Sequence, residues 1–186
     1  MMKSNDTKST YLALEVPIGE CYHDAWFVKL REVFADANID WLKYKKHYHL
    51  TLVFIDKRPG DNDFRQMIKA ELASLHAQRI RFAKIDAFTG GSGKHVIHLD
   101  TTEPCEELSE FGKRIRKVLR DKGCTINYEF KLHLTLTEIE PSVMMTLDEV
   151  RKRIGGVTFP SVECNCKDVY YKRLGGKGNI FHEPLS

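Results

Sequence analysis

The sequence predicts a mixed fold of the α/β or α+β class, arranged as two lobes within one domain. Strand-like and helix-like segments alternate along the chain, and the second half repeats the order of the first. No low-complexity segment or linker separates the halves. With 186 residues, of which 42% are hydrophobic and 30% charged, the chain can bury a core and is too apolar to be disordered.

The first part of the chain is predicted to run strand, helix, strand, helix and then a hairpin. Residues 11–16 form a short apolar segment that ends before Pro17, and apolar residues recur at helical spacing from Asp24. A second strand covers residues 49–55 and is followed by a turn and another amphipathic segment. The hairpin joins residues 80–88 to residues 95–100 through a glycine-rich turn.

The second part repeats this order. An amphipathic helix ends near Gly123, a residue suited to a left-handed cap, and a strand follows at residues 130–139. Thr146 and Glu149 match a capping box that opens a short helix. Further strands are predicted near residues 169–171 and 180–181. We therefore expect a single domain over residues 1–186, with lobes at about 9–90 and 91–186.

Charge and composition exclude several classes of protein. The 29 basic and 26 acidic residues leave a net charge of +3, too small to indicate a protein that coats nucleic acid, although a local basic patch could bind a small phosphate. No apolar run approaches the roughly 20 residues of a membrane span, and the polar N-terminus lacks a signal-peptide core. Five cysteines, an odd number, indicate reduced thiols. We expect a soluble, cytoplasmic monomer that does not bind membranes.

One tetrapeptide occurs twice: His49-Leu50-Thr51-Leu52 recurs at residues 133–136. Each copy lies on a predicted strand that follows a strand and a helix. Because side chains alternate between the two faces of a strand, each His shares a face with its Thr, and the Leu residues point to the other face. Two such strands side by side would direct two imidazoles and two hydroxyls into one cleft.

This arrangement suits phosphodiester chemistry. Opening a cyclic phosphate requires a base that takes a proton from water and an acid that gives one to the leaving oxygen. Two histidines divide these roles near neutral pH. The hydroxyls of Thr51 and Thr135 can donate to the non-bridging phosphate oxygens, and no metal or other cofactor is required.

The sequence resembles the 2H phosphoesterase superfamily, and in particular its 2'-5' RNA ligase-like branch of RNA 2',3'-cyclic phosphodiesterases. The segments that carry the resemblance are residues 11–14 with Pro17, 49–54 with Trp41 before them, 95–99 with Phe88, 133–136 and 169–171. The resemblance implies a bilobal α+β fold, with two pseudo-two-fold-related lobes of antiparallel sheet, helices on the outside and a central cleft.

The resemblance also implies roles for residues. His49 and His133 would be catalytic, with His133 as the base and His49 as the acid. The substrate would be RNA or a nucleotide with a 2',3'-cyclic phosphate, and 2'-5' linkages could also be joined or cleaved.

Departures from the family pattern add candidate substrate-binding residues. Members often have Pro before the second His and Arg after its motif, where this chain has Leu132 and Thr137-Glu138. An Arg common in the middle strand is replaced by His95 or Lys94. His95 is therefore one candidate substrate-binding residue. Two more are Lys131, which shares strand parity with His133 and could attract phosphate, and Tyr48, which could stack on a base.

Two other functions fit the same residues. A nucleotide-binding module could hold a phosphate between the two motifs without turnover. A metal-dependent hydrolase could use His47, His49 and His133 as three ligands with one open coordination position.

Overall fold

A computed structural model describes residues 9–56, 63–101, 103, 105–126, 131–173 and 179–186. Within them, eight strands and four α-helices follow one another along the chain. In chain order they are β1 (Thr10–Glu15), α1 (Ala25–Val33), β2 (His49–Ile55), α2 (Asp63–Leu72), β3 (Gln78–Thr89), β4 (His95–Thr101), α3 (Glu106–Asp121), β5 (Leu134–Ile139), α4 (Leu147–Ile154), β6 (Val162–Cys166), β7 (Asp168–Arg173) and β8 (Asn179–Pro184). Short 3-10 helices lie at Gly19–His23 and Pro141–Val143.

The eight strands form a single antiparallel sheet in the order β6-β3-β4-β5-β2-β1-β7-β8. Helices lie between strands along the chain, as in an α/β protein, but every strand pair of the sheet is antiparallel. The predicted α+β class is therefore confirmed. The sheet has two four-stranded halves that meet where Leu50 of β2 pairs with Leu134 of β5.

These halves differ from the predicted lobes at residues 9–90 and 91–186. Strand β3 pairs with β4 and β6 of the second half, and β7 and β8 return to pair beside β1 in the first. The hairpin connection holds β3 next to β4, and the free edge of β1 accepts β7. The number of domains stays a prediction.

One face of the sheet carries the hydrophobic core. The alternate residues Leu50, Leu52, Leu134 and Leu136 are fully buried. They belong to one cluster with apolar side chains of the helices, among them Trp26, Phe27, Leu30, Ile68, Phe111, Ile115, Val150 and Ile154. The other face is only partly covered, and we call it the open face. The alternation predicted for the two tetrapeptides therefore separates core from open face.

A bulge lies at the last residue of each tetrapeptide. Ala13 and Leu12 of β1 pair with Thr51 and Val53, which leaves Leu52 as the extra residue. His98 and Ile97 of β4 pair with Thr135 and Thr137 in the same way, which leaves Leu136 as the extra residue. In both strands two consecutive residues are then buried, and the next, Phe54 in β2 and Glu138 in β5, is again half-exposed. Since a bulge inserts one extra residue, it restores these side chains to the open face.

Local predictions and their outcomes differ between elements. Strand β5 begins at Leu134, so His133 directly precedes the strand. Residue 130 of the predicted segment 130–139 lies outside the described residues. The Thr146 side chain accepts a hydrogen bond of 3.2 Å from the backbone N–H of Glu149, which confirms the predicted helix cap. In the part of the chain that is described, the helices are too short or too polar to cross a membrane; the cytoplasmic location stays a prediction.

Candidate active site

The two histidines of the repeated tetrapeptide lie at the entrances of the two central strands. His49 is the first residue of β2, and His133 immediately precedes β5. The antiparallel pair Leu50–Leu134 sets the register, so His49 lies beside Thr135 and Thr51 beside His133. All four side chains are half-buried on the open face. The strand pairing thus brings the two predicted His–Thr pairs together.

Both imidazoles are oriented by the same backbone contact. Nδ1 of His49 lies 2.9 Å from the carbonyl oxygen of His47, and Nδ1 of His133 lies 3.2 Å from that of Lys131. A carbonyl can only accept, so Nδ1 carries the proton in each ring. In the neutral imidazole the lone pair is then on Nε2, and no described residue forms a hydrogen bond with either Nε2. Each Nε2 can therefore accept or return a proton.

Tyr11 and Lys172 shape the surroundings of His49. The Tyr11 ring stacks on the imidazole with centroids 5.5 Å apart, and Lys172 pairs in register with Tyr11 across β1 and β7. Burial lowers the pKa of His49, and the positive charges of Lys172 and His133 lower it further, against the hydrogen bond to the His47 carbonyl. His49 is therefore biased toward its neutral form until a negative charge is bound.

His133 has different neighbours. Its ring meets Phe88 edge to face at 5.2 Å and His98 at 5.6 Å between centroids. Burial lowers the pKa of His133 and the charge of His98 lowers it further, while the Lys131 carbonyl and the Asp100 carboxylate act in the opposite direction. Both candidate catalytic histidines thus have lowered pKa values for the same main reason.

A cationic and aromatic surface extends the open face from His49 across β1, β7 and β8. Tyr170 pairs in register with Ala13 and stacks on His182 with centroids 4.8 Å apart. Its hydroxyl donates to the carboxylate of Glu15 at 3.2 Å. Burial lowers the pKa of the Lys172 ammonium, and Glu15 partly offsets this. The surface offers a positive charge and two flat rings next to the histidine pair.

Comparison with known families matches this chain to one of them. The model of the 2'-5' RNA ligase superfamily aligns with residues 22–175, which include both tetrapeptides. The chain belongs to the 2'-5' RNA ligase superfamily. A comparison with curated protein sequences found no significant match.

Solved structures of Usb1 and LigT share this fold. Usb1 of Kluyveromyces marxianus, with uridine monophosphate, superposes with a TM-score of 0.70 at 13% identity, covering 97% of this chain and 100% of Usb1. E. coli LigT in complex with 3'-AMP gives a TM-score of 0.56 at 15% identity, covering 96% of this chain and 95% of LigT. The predicted family and fold are confirmed, and at these identities the structural likeness concerns the fold alone.

Two residues that we predicted to bind substrate do not face the histidine pair of this superfamily member. Tyr48 is 2% exposed and belongs to the hydrophobic cluster, where burial raises its pKa to about 12. His95 faces the other side of the sheet: its Nε2 lies 2.6 Å from the Met145 carbonyl and its Nδ1 lies 2.9 Å from the Thr89 hydroxyl. Strand parity explains both corrections, since Tyr48 alternates with His49 and His95 lies three residues from His98.

Lys131 is placed differently from these two. Its side chain is exposed, and its carbonyl accepts the hydrogen bond from His133. Its backbone therefore orients the imidazole, and contact of its ammonium with a substrate stays a prediction.

Sequence reasoning did not identify His98, Tyr11, Tyr170 and Lys172 as site residues. Each shares the open face with His49 or His133 only through the strand register. For His98, the sequence did offer one indication. His95 and His98 are three positions apart on β4 and so point to opposite faces, which means that only one of them can face His49 and His133. For β7 the same parity separates Tyr170, on the open face, from the fully buried Tyr171.

The segment after the second tetrapeptide, Thr137-Glu138, includes an acidic residue in a region where members of the superfamily often have arginine. Glu138 accepts from Nζ of Lys43 at 2.6 Å and from the Tyr44 hydroxyl at 2.8 Å, and its carboxylate lies 3.5 Å from Nζ of Lys94. Hydrogen bonds and positive charges hold the pKa of Glu138 low despite its burial. The carboxylate is thus neutralised by two lysines at this end of the open face.

A metal site built on His47, His49 and His133 finds no geometric support. His47 is exposed, and its carbonyl, not its ring, is what contacts His49. Among the described residues, no three His, Cys, Asp or Glu side chains converge in a way that could hold a metal ion.

Proposed function

We propose that this protein is a metal-independent phosphodiesterase that opens 2',3'-cyclic phosphates of RNA ends or nucleotides by acid–base catalysis of His49 and His133. The observation that supports it best is the matched pair of imidazoles on the open face. Each has its Nδ1 held by a backbone carbonyl and its Nε2 available, and each has a threonine of the other motif beside it. Membership of a phosphoesterase superfamily agrees with this chemistry.

In the proposed reaction, neutral His133 takes a proton from water on its Nε2, and the water oxygen attacks phosphorus. The bond between phosphorus and the 3'-oxygen breaks, and His49, protonated on Nε2, gives its proton to that oxygen. The product is a 2'-phosphate with a free 3'-hydroxyl. The hydroxyls of Thr51 and Thr135 donate to the non-bridging oxygens, whose negative charge must be held through the transition state.

The ligand class is proposed from the surface beside His49 and from similar structures. LigT and Usb1 have been solved with 3'-AMP and with uridine monophosphate, respectively. In this chain, the Tyr170 and His182 rings can stack on a base while Lys172 attracts the phosphate, since every base has a flat face. With a 5'-hydroxyl in place of water, the same steps would join a 2'-5' linkage. The 5'-oxygen would bond to phosphorus as His133 takes its proton, and the 3'-oxygen would leave with the proton from His49.

Hydrolysis of 2',3'-cyclic nucleotides in excess EDTA tests the proposal. We expect turnover to survive the chelator and to yield the 2'-phosphate. His49→Ala should abolish most of it, while the matched variant His47→Ala, which keeps the backbone carbonyl, should retain activity within a fewfold. Binding of nucleotide without turnover would instead support the non-catalytic module. Loss of activity both with EDTA and in His47→Ala would support the metal-dependent hydrolase.

A further inference from the structure

His98 is a buried histidine that the proposed reaction does not use. It is 6% exposed, lies on β4 and is the register partner of Thr135. Its ring centroid is 5.6 Å from that of His133 and 5.1 Å from that of Phe88, which also contacts His133. Three rings therefore pack together at one end of the histidine pair.

The ring nitrogens of His98 both face acceptors. Nε2 lies 2.9 Å from a carboxylate oxygen of Asp100, and Nδ1 lies 3.4 Å from the carbonyl oxygen of Val96. An imidazolium has an N–H on each nitrogen, whereas a neutral ring has only one. These two acceptors hold the His98 ring in a fixed orientation.

The corresponding position beside the first tetrapeptide holds no imidazole. The strand that neighbours Thr135 carries His98 at its register position, whereas the strand that neighbours Thr51 carries Ala13 at the corresponding position. His49 instead stacks on Tyr11. At this register position the two halves thus differ in an ionisable side chain, and the His98 ring contacts His133.

Other charged groups near His98 are already paired. On β3, Asp86 and Lys84 are the register partners of His98 and Asp100, and they form an ion pair of 3.1 Å. Asp86 also lies 3.4 Å from Nε of Arg151 on α4. From β2, His49 faces His133 across the strand pair. Among these groups, the one whose ring packs directly on His133 is His98.

We propose that His98, held by Asp100, is a positioning residue for His133. Its ring packs against the His133 imidazole and limits its rotation. When His98 is protonated, its charge opposes protonation of His133, so that His133 stays in the proton-accepting form. The effect of His98 on catalysis rests on the proposed function, in which His133 is the base. The coupling between the His98 and His133 rings can be measured without any substrate.

The test compares His98→Gln with His95→Gln, a matched change of the same residue type on the other face of the same strand. Two measurements are made: the NMR titration of the His133 ring, and the pH profile of kcat/KM for a 2',3'-cyclic nucleotide. We expect His98→Gln to raise the pKa of His133 and to move the acidic limb of the profile to higher pH. We expect kcat near neutral pH to fall about ten- to a hundredfold, the scale of a small misplacement of a catalytic group. His95→Gln should leave the His133 titration and the profile unchanged.

A second variant covers the case in which a polar side chain in this buried position prevents folding. His98→Phe keeps an apolar ring beside Phe88 and removes the charge, so it should raise the pKa of His133 while costing less in kcat than His98→Gln. An unchanged His133 titration in either folded variant overturns the inference. A wild-type protein that does not hydrolyse the substrate overturns the proposed function, and the titration then still decides whether the two rings are coupled.

Discussion

Leu50→Ala tests the separation of core and open face within the first tetrapeptide. Leu50 is fully buried where the two halves of the sheet meet. Replacing a buried leucine by alanine costs about 2–5 kcal/mol, because the transfer free energy of the side chain is lost and a cavity remains. For about 3 kcal/mol in a chain of this size, we expect the melting temperature to fall by about 6–12 °C. The folded variant should keep kcat within a fewfold of wild type, since Leu50 faces away from the histidine pair.

The adjacent variant Thr51→Ala is the matched control. The side chain is half-buried on the open face, so its loss should cost at most about 1 kcal/mol, a change typical of positions outside the core. It should, however, raise KM for the cyclic nucleotide and lower kcat/KM about ten- to a hundredfold, the contribution of a hydrogen bond to a charged group. Thermal melting by circular dichroism and steady-state kinetics on the same samples measure both. If Thr51→Ala is the less stable of the two, or Leu50→Ala the less active per folded molecule, the assignment of faces is wrong.

Three further predictions concern the histidines. His49→Ala and His133→Ala should each lower kcat by about 10²–10⁴. The double variant should lose less than the product of the two factors, because the effects of substitutions at residues that act as a unit do not add. Full additivity in single-turnover rates would contradict a step that the two histidines share. Burial lowers the pKa of both histidines in the free protein, whereas the negative charge of a bound phosphate raises both. The pH profile of kcat/KM, which reports the free protein, should therefore lie at lower pH than the profile of kcat, which reports the complex. Coincident profiles would contradict this effect of the phosphate on the histidines. Lys172→Met should raise the pKa of His49 and shift the basic limb of kcat/KM to higher pH, and a shift of the acidic limb instead would reverse the roles of acid and base.

Much of the fold and the central part of the candidate site could be predicted from the sequence. The elements follow from short-range signals, such as the spacing of apolar residues along α1 and the capping pair Thr146 and Glu149, which the structure contains. The sharing of one face by His49 and Thr51 needs only the period of a strand, and for this reason it was predictable without knowing which strands pair.

The remaining features depend on strand register and on bulges, which no local pattern specifies. His98 rather than His95 faces His133 because the β4 strand pairs with β3 and β5 in one register of two that its sequence permits. Phe54 reaches the open face because of the bulge at Leu52, although simple alternation assigns it to the core. The strand order also escaped prediction, since the pairing of β1 with β7 joins segments from opposite ends of the chain.

This pairing of β1 with β7 has a consequence for how the protein folds. The Thr10 and Tyr171 hydroxyls lie 2.9 Å apart in the buried interior, although the residues are 161 positions apart in sequence. During synthesis β1 can pair with β2 early, but its other edge stays open until β7, at Asp168–Arg173, has been made. Folding that waits for distant contacts is slow, and an open strand edge invites pairing with other chains. Because Lys172 and Tyr170 arrive on the same strand, one late step both closes the sheet and completes the surface beside His49.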